Sequence, residues 1–286
     1  MKVELVGNEW RELPDNSPRG IYLDGYLKEK LDNINKIISK GWDAVFLIDG
    51  KERSGKSTLG MTCAWYLSKG KITINNFAKG IEDAKKKVRE LPDNSFLFLD
   101  EGSLVFNSRD TIRRENVELQ KIMDVVGQKN ITFIVVLPSI FDLSRAIATR
   151  RSLFLLHVYT DDEWKRGRFA YYGEEKKLEL YDLGKKSFNK YVVDPEWYGV
   201  FTKFELPFQK EYLELKKQTL DVALNGEKGD KPDLKKEIWA LKYKIYQLMK
   251  AVPLKTQGDV SKIMGIHVRN LRTWEQYGGR IAQDGV

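Results

Sequence analysis

The chain has 286 residues, room for one α/β domain of ordinary size and a small appendage. With 42% hydrophobic and 31% charged residues it reads as a globular protein, and its longest apolar run, Ile131 to Pro138, is far too short to span a bilayer. The 49 Lys and Arg outnumber the 41 Asp and Glu, a formal charge of +8 that leans towards a polyanionic partner, while a single cysteine, Cys63, rules out an intramolecular disulfide and suits a reducing cytoplasm.

Met1 to Gly20 carries charges and prolines throughout and has no apolar centre, so it does not read as a signal peptide. Tyr26 to Lys40 sets Leu27, Leu31, Ile34, Ile37 and Ile38 at helical spacing, with Gly41 as the stop. Ala44 to Asp49 is a continuous apolar run, the mark of a strand covered on both faces. A helix from about Lys56 to Lys69 follows, then a short strand at Lys71 to Ile74, a charged surface helix at Glu82 to Arg89 and a buried strand at Phe96 to Leu99. Asn116 to Val126 predicts a helix with Val117, Ile122 and Val125 turned to the core, and Ile131 to Leu137 and Leu153 to Val158 predict the fourth and fifth buried strands. Buried strands alternating with helices imply a mainly parallel sheet with helices on both faces. From Lys165 the pattern changes to period two. It predicts an exposed antiparallel hairpin of Arg168 to Tyr172 and Lys177 to Tyr181 about Gly173, with a further strand in Gly199 to Leu206. A helix over Gln209 to Leu224 leads into Asn225 to Asp233, a polar linker with two glycines and a proline.

The first buried strand runs directly into Gly50-Lys51-Glu52-Arg53-Ser54-Gly55-Lys56-Ser57, which satisfies the Walker A pattern G-x-x-x-x-G-K-[ST] at every fixed position and leads into the helix that starts at about Lys56, so Gly50 to Ser57 with Thr58 is the candidate nucleotide-binding stretch. Glycines let the backbone curl so that successive N–H groups converge on phosphate oxygens, and the helix aims its positive end at the same oxygens. Lys56 is the expected contact to the β- and γ-phosphates, and the Ser57 hydroxyl the expected Mg²⁺ ligand. Phe96-Leu-Phe-Leu-Asp100-Glu101 has the form of a Walker B segment. Its acids fall at the carboxyl edge of the sheet, where Asp100 would hold Mg²⁺ and Glu101 would act as general base on the attacking water. An immediate Asp-Glu suggests the additional-strand ATPases, which include the RecA-like, AAA+ and FtsK–HerA groups. The guanine-reading N-K-x-D is missing, since Lys129-Asn130 stands in the wrong order, so ATP is favoured over GTP. After the fourth strand, Ser139 is the candidate γ-phosphate sensor, with a plain turn serine as the alternative. Arg150 and Arg151, just before the fifth strand, are the candidate arginine finger acting on a neighbouring subunit, with surface salt bridging as the alternative.

Over about Tyr26 to Val158, the order Gly50 to Ser57, Asp100-Glu101, the strand ending in Leu137-Pro-Ser139 and the arginine-bearing stretch into Leu153 to Val158 resembles the FtsK–HerA superfamily, with the zonula occludens toxin-like ATPases of phages and mobile elements as the nearest suggested relatives. The resemblance implies a RecA-like P-loop ATPase forming a homo-oligomeric ring, usually hexameric, that moves or packages viral, plasmid or mobile-element DNA. A helicase loader or replication regulator of AAA+ type, using ATP as a switch, stays open beside it. So does a DNA-binding regulator that only senses nucleotide, against which Glu101 argues.

Leu234 to Lys250 places Ile238, Leu241, Ile245 and Leu248 on one helical face, bounded by Pro253. Thr256 to Trp274 then has the spacing of a helix-turn-helix: Val260 and Ile263 pack the first helix, Gly265 turns, and Val268, Leu271 and Trp274 pack the second. His267, Arg269, Asn270, Arg272 and Thr273 would face outwards, the residue types that meet phosphates and base edges. Residues 228–286 hold 12 Lys and Arg against 6 Asp and Glu, most of the chain's net positive charge. DNA is the expected partner of this module, and a protein-docking bundle with a solvated basic face is the alternative. The expected division is an ATPase domain over 1–224 (core about 26–158, β-rich extension about 159–206), a linker over 225–233 and the all-α helix-turn-helix module over 234–286.

Overall fold

The computed structural model describes residues 1–7, 9–17, 19–100, 109–225, 242–243, 259, 261, 267, 269–270 and 272–273. The chain divides into two compact units, Met1–Ala223 and Leu224–Val286.

The first unit opens with strands that the sequence pattern did not reveal. β1 (Lys2–Val6) pairs antiparallel with β2 (Glu9–Leu13) and β3 (Ile21–Tyr22) in a small sheet ordered β2-β1-β3. Trp10 fastens this sheet to the main body: its ring stacks on Tyr66 at 5.1 Å and its Nε1–H donates to the Tyr66 carbonyl at 2.9 Å. α1 (Gly25–Ile38) follows, capped by Asp24, whose carboxylate accepts from the Tyr26 and Leu27 amides. It buries Leu27, Leu31 and Ile34 as the spacing required.

The main sheet holds β4 (Ala44–Gly50), β5 (Phe77–Ala78), β6 (Phe96–Leu99), β7 (Thr132–Val136), β8 (Leu155–Tyr159), β9 (Arg168–Tyr172) and β10 (Trp197–Val200), in the order β10-β9-β8-β4-β7-β6-β5. β5, β6, β7, β4 and β8 are parallel, and β9 and β10 add an antiparallel edge. Helices α2 (Lys56–Leu67), α3 (Ile81–Glu90) and α4 (Arg109–Gln128) are the crossovers between the parallel strands. Alternate residues of one strand face opposite cores. Val45 and Leu47 join Phe133 and Val135 in the layer with α3 and α4, while Phe46 and Ile48 join Ile134 and Val136 in the layer with α1 and α2. Two covered faces explain why these strands read as unbroken apolar runs.

Three expectations need correction. The strand expected at Lys71 to Ile74 lies slightly later, as β5, because a 3₁₀ turn at Ile74–Asn76 comes first, held by the Asn76 side chain accepting from the Thr73 amide at 2.9 Å. Val117 points outwards, 51% exposed, although α4 forms as expected and buries Ile122. The hairpin does not form: Lys177 to Tyr181 lies within helix α5 (Glu174–Lys186). Lys177, Leu180, Tyr181 and Gly184 go inwards at helical spacing, Leu178 stays partly exposed, and the acids at the start and lysines at the end suit the helix dipole. The apparent alternation was a helical stripe sampled over too few residues. β9 pairs instead with β8 and with β10, Tyr198 standing opposite Ala170, so the stretch 159–206 is mixed rather than β-rich. α6 (Gln209–Asn225) closes the unit. Among the described residues no helix is long and apolar enough to cross a membrane.

Candidate functional site

β4 ends in Gly50, whose φ of 135° is open mainly to glycine. A Cβ there would lie 2.0 Å from the Val158 carbonyl oxygen of β8, so the backbones approach as only glycine allows. The Gly50 amide donates to the Pro138 carbonyl at 3.3 Å. Lys51, Glu52 and Arg53 form the exposed crest of the loop, and Arg53 is left-handed at φ 60°. Ser54 is buried with no hydrogen-bond partner for its hydroxyl among the described residues, and Gly55, at φ 109°, precedes α2 without a side-chain cap. The first amides of α2 therefore carry the positive end of the helix into the loop. Buried Lys56 folds across its own loop and donates to the carbonyls of Gly50 at 2.6 Å and Lys51 at 3.0 Å. Ser57 and Thr58 are half-buried in the first turn of α2.

Asp100 follows β6 directly. Although β7 stands between β4 and β6, the Ser57 hydroxyl donates to Asp100 Oδ1 at 2.9 Å. Parallel strands bring both loops to the carboxyl edge of the sheet, where ligands of open α/β folds bind. A hydroxyl and a carboxylate side by side fit Mg²⁺, a hard cation that takes few protein ligands and completes its shell with phosphate oxygens and water. Glu101 lies outside the described residues.

Two neighbours of Asp100 were not foreseen. On α6, the Tyr212 hydroxyl donates to Asp100 Oδ2 at 2.5 Å, and Lys216 Nζ lies 3.0 Å from the same oxygen and 3.5 Å from Ser57 Oγ. Burial, and then the Asp100 charge, push the Tyr212 hydroxyl well above the ordinary phenol range. The helix was legible, and four-residue spacing puts Tyr212 and Lys216 on one face, but nothing local says what that face meets.

A second cluster underlies the loop. Asp49, fully buried, accepts from the Ile140 amide at 2.8 Å and from the Tyr191 hydroxyl through Oδ2, and its Oδ1 is 2.8 Å from His157 Nδ1. The His157 and Tyr191 rings stack at 3.7 Å. Burial and then Asp49 push the Tyr191 hydroxyl far up, so it is a standing donor. The cluster ties the base of the P-loop to the turn that follows β7. Ser139 belongs to that turn, half-buried, its hydroxyl accepting from the Phe141 amide at 3.3 Å.

Arg150 and Arg151 lie in a π-helical turn, Ala146–Arg151, that leads into β8 and so sits at the opposite, amino-terminal edge of the sheet. Neither reaches the P-loop of its own chain. Arg151 is committed elsewhere, paired with Asp43 at 2.5 Å and donating to the Met123 carbonyl at 2.6 Å, whereas Arg150 is exposed.

In the second unit, Arg269, Asn270, Arg272 and Thr273 are helical; His267, Arg269, Asn270 and Arg272 are exposed and Thr273 is half-buried. The Arg269 amide donates to His267 Nδ1 at 3.2 Å, a cap-like contact, and the Thr273 hydroxyl donates back to the Arg269 carbonyl at 3.0 Å. Residues 226–233 of the expected linker lie outside the described residues, as do Val260, Ile263, Gly265, Val268, Leu271 and Trp274 of the expected helix-turn-helix.

No family model matches the chain, and no curated protein sequence matches it. Among solved structures, a DNA polymerase III gamma subunit-related protein from Thermotoga maritima is similar at 11% identity, over 88% of this chain and 99% of that one, with a TM-score of 0.35. At that level of likeness, the functional reading stands on the geometry of the site itself.

Proposed function

We propose that the chain is a Mg²⁺-dependent P-loop ATPase that works on DNA as a homo-oligomeric motor, in the manner of the FtsK–HerA superfamily its motifs resemble. The observation that carries the ATPase reading is the 2.9 Å contact between Ser57 and Asp100 across the intervening β7. It joins a loop built to cradle phosphates to an acid built to hold the metal, and the interposed strand is the arrangement for which additional-strand ATPases are named. The loop amides of residues 50–58 and the Lys56 ammonium bind the phosphates, with Lys56 exchanging the carbonyls of Gly50 and Lys51 for phosphate oxygens. Ser57 and Asp100 would hold Mg²⁺, which would supply charge neutralisation on the transferred phosphate. Glu101, next along the chain from Asp100, takes the proton of the attacking water. Ser139 reads the γ-phosphate from a turn that Asp49 fixes to the loop. Arg150, exposed at the far edge, completes a neighbour's site in trans. The exposed helical residues Arg269, Asn270 and Arg272, with His267 and Thr273 beside them, grip DNA.

The test is ATP hydrolysis with and without duplex and single-stranded DNA. A motor hydrolyses ATP and is strongly stimulated by duplex; turnover indifferent to both would refute the motor, and the lack of any turnover would refute the ATPase. A second reading, an ATP-operated switch of loader type, is favoured by one observation: the segment after β10 lies on the nucleotide site, Phe201 against Gly55 and Lys216 against Asp100.

A further inference from the structure

The chain from Phe201 to Gln218 forms a strap over the P-loop. Its first part is fixed by aromatic packing. A Cβ on Gly55 would lie 3.0 Å from the Phe201 ring; Phe204 packs near Trp65, with ring centres 6.1 Å apart; and Phe208 and Tyr212 both meet the edge of Phe77, at 5.7 and 5.4 Å. Its second part is polar. Lys216 Nζ stands between Asp100 Oδ2 at 3.0 Å and Ser57 Oγ at 3.5 Å, and one turn earlier the Tyr212 hydroxyl donates to the same carboxylate. The two oxygens assigned to Mg²⁺ thus already share a cation, supplied by the chain.

From this we infer that Lys216 is a latch that stands in for the metal, and that the arrival of Mg²⁺ with nucleotide expels it and releases the second half of α6. The inference rests on reading Ser57 and Asp100 as the metal ligands. An ammonium 3 Å from Asp100 and a divalent ion on the same carboxylate repel each other, so one must leave. Lys216 is the one able to go. It sits on a helix surface and its side chain is 38% exposed, against 10% for Asp100. Its departure removes an ion pair without opening the aromatic half of the strap, so Phe201, Phe204 and Phe208 act as the hinge and Lys216 as the catch. α6 continues to Asn225, past the boundary of the first unit at Ala223.

The measurement uses the full chain, with Mg²⁺·ADP as the probe so that no turnover intervenes. If the latched state holds about nine-tenths of the molecules, Lys216→Gln binds Mg²⁺·ADP roughly ten-fold more tightly than wild type. ADP in excess EDTA separates the two proteins far less, and Lys216→Arg, which keeps the cation, stays close to wild type. Hydrogen exchange over residues 216–225 accelerates in wild type when Mg²⁺·ADP is added, and in Lys216→Gln is already fast without it. Unchanged or weaker Mg²⁺·ADP binding by Lys216→Gln, or α6 exchange indifferent to Mg²⁺·ADP in wild type, overturns the latch and leaves the nucleotide site standing. A wild type that takes up no ADP in any condition overturns the nucleotide reading, and the latch with it.

Discussion

Lys177 gives the sharpest quantitative prediction. It is fully buried on α5, and its Nζ donates to the carbonyl and, at 2.7 Å, to the hydroxyl of Ser152. Among the described residues no carboxylate pairs with it there; Glu174, one turn earlier, only partly opposes the effect of burial, which pushes the ammonium down to about 7 from its ordinary 10.5. The sign follows from proton counts. Between about pH 7 and 10.5 the unfolded chain carries a proton on this lysine that the folded chain does not, so stability rises with pH across that window. Below about pH 7 both states are protonated and the full penalty is present, on the order of 5 kcal/mol at 1.36 kcal/mol per pH unit. Urea unfolding followed by tryptophan fluorescence from pH 6 to 9.5 should show wild type gaining roughly 2–3 kcal/mol between pH 7 and 9 from this group. The series stops below pH 10 because buried tyrosines, among them Tyr171 and Tyr172, have hydroxyls raised above the ordinary range and reverse the slope there. Lys177→Met fills the same space without a charge. It loses about 1 kcal/mol of hydrogen bonding at Ser152 but no longer carries the ionisation penalty, so it should be more stable than wild type at pH 7 and nearly flat in pH. Parallel pH profiles for the two proteins would show that the amine stays charged in the folded state and would refute the argument.

Three further outcomes are expected. Glu101→Gln should retain ATP binding and lose hydrolysis by about 10²–10⁴-fold, whereas Lys56→Ala should lose binding itself, both read by nucleotide titration beside turnover; near-normal turnover in the Gln variant removes Glu101 from the mechanism. Arg150→Ala mixed with Lys56→Ala should recover part of the activity that each lacks alone, while Arg151→Ala, which breaks the Asp43 pair, should act on stability instead; mixtures that stay inactive with oligomers intact count against a finger in trans. Removing residues 228–286 should weaken duplex binding and spare basal hydrolysis; within that segment, whichever of Arg269 and Arg272 touches phosphate should, on change to Ala, lower the log–log salt slope by about one, and a base contact should lose roughly 1–3 kcal/mol at its preferred site only. A truncation that binds DNA as well as the full chain would assign the grip to the first unit.

The features legible in the sequence are those whose causes are local. β4, β6 and β7 are covered on both faces, so their buried state is written into consecutive residues such as Phe96 to Leu99, and Gly50 to Ser57 announces itself because every fixed position has a steric or electrostatic reason. β1 and β2 escaped notice because they are short and half-exposed and carry Lys2, Glu4, Glu9, Arg11 and Glu12 among their apolar residues. α5 mimics a strand because five residues of its helical stripe, Lys177 to Tyr181, can pass for alternation. The partners of the site were invisible for a different reason. Asp49 meets His157 and Tyr191 across 108 and 142 positions, and Asp100 meets Lys216 across 116. Such pairings are fixed by strand order and helix docking, and no window along the chain contains both members.

The pairing of β4 also bears on how the protein is made. Ala44 stands opposite Thr132 and Leu47 opposite Leu155, so the strand that leads into the P-loop has no neighbour on either side until long after it has left the ribosome. A nascent chain that has not reached His157 lacks the ring that meets Asp49, and one that has not reached Pro138 lacks also the carbonyl that receives the Gly50 amide. Nucleotide therefore cannot template early folding; it can only stabilise the finished domain by mass action. Until then the apolar run from Ala44 to Ile48 is an unpaired strand awaiting distant partners. Placing the phosphate loop at the centre of the sheet therefore makes its formation depend on contacts distant in sequence, the kind that close late in folding.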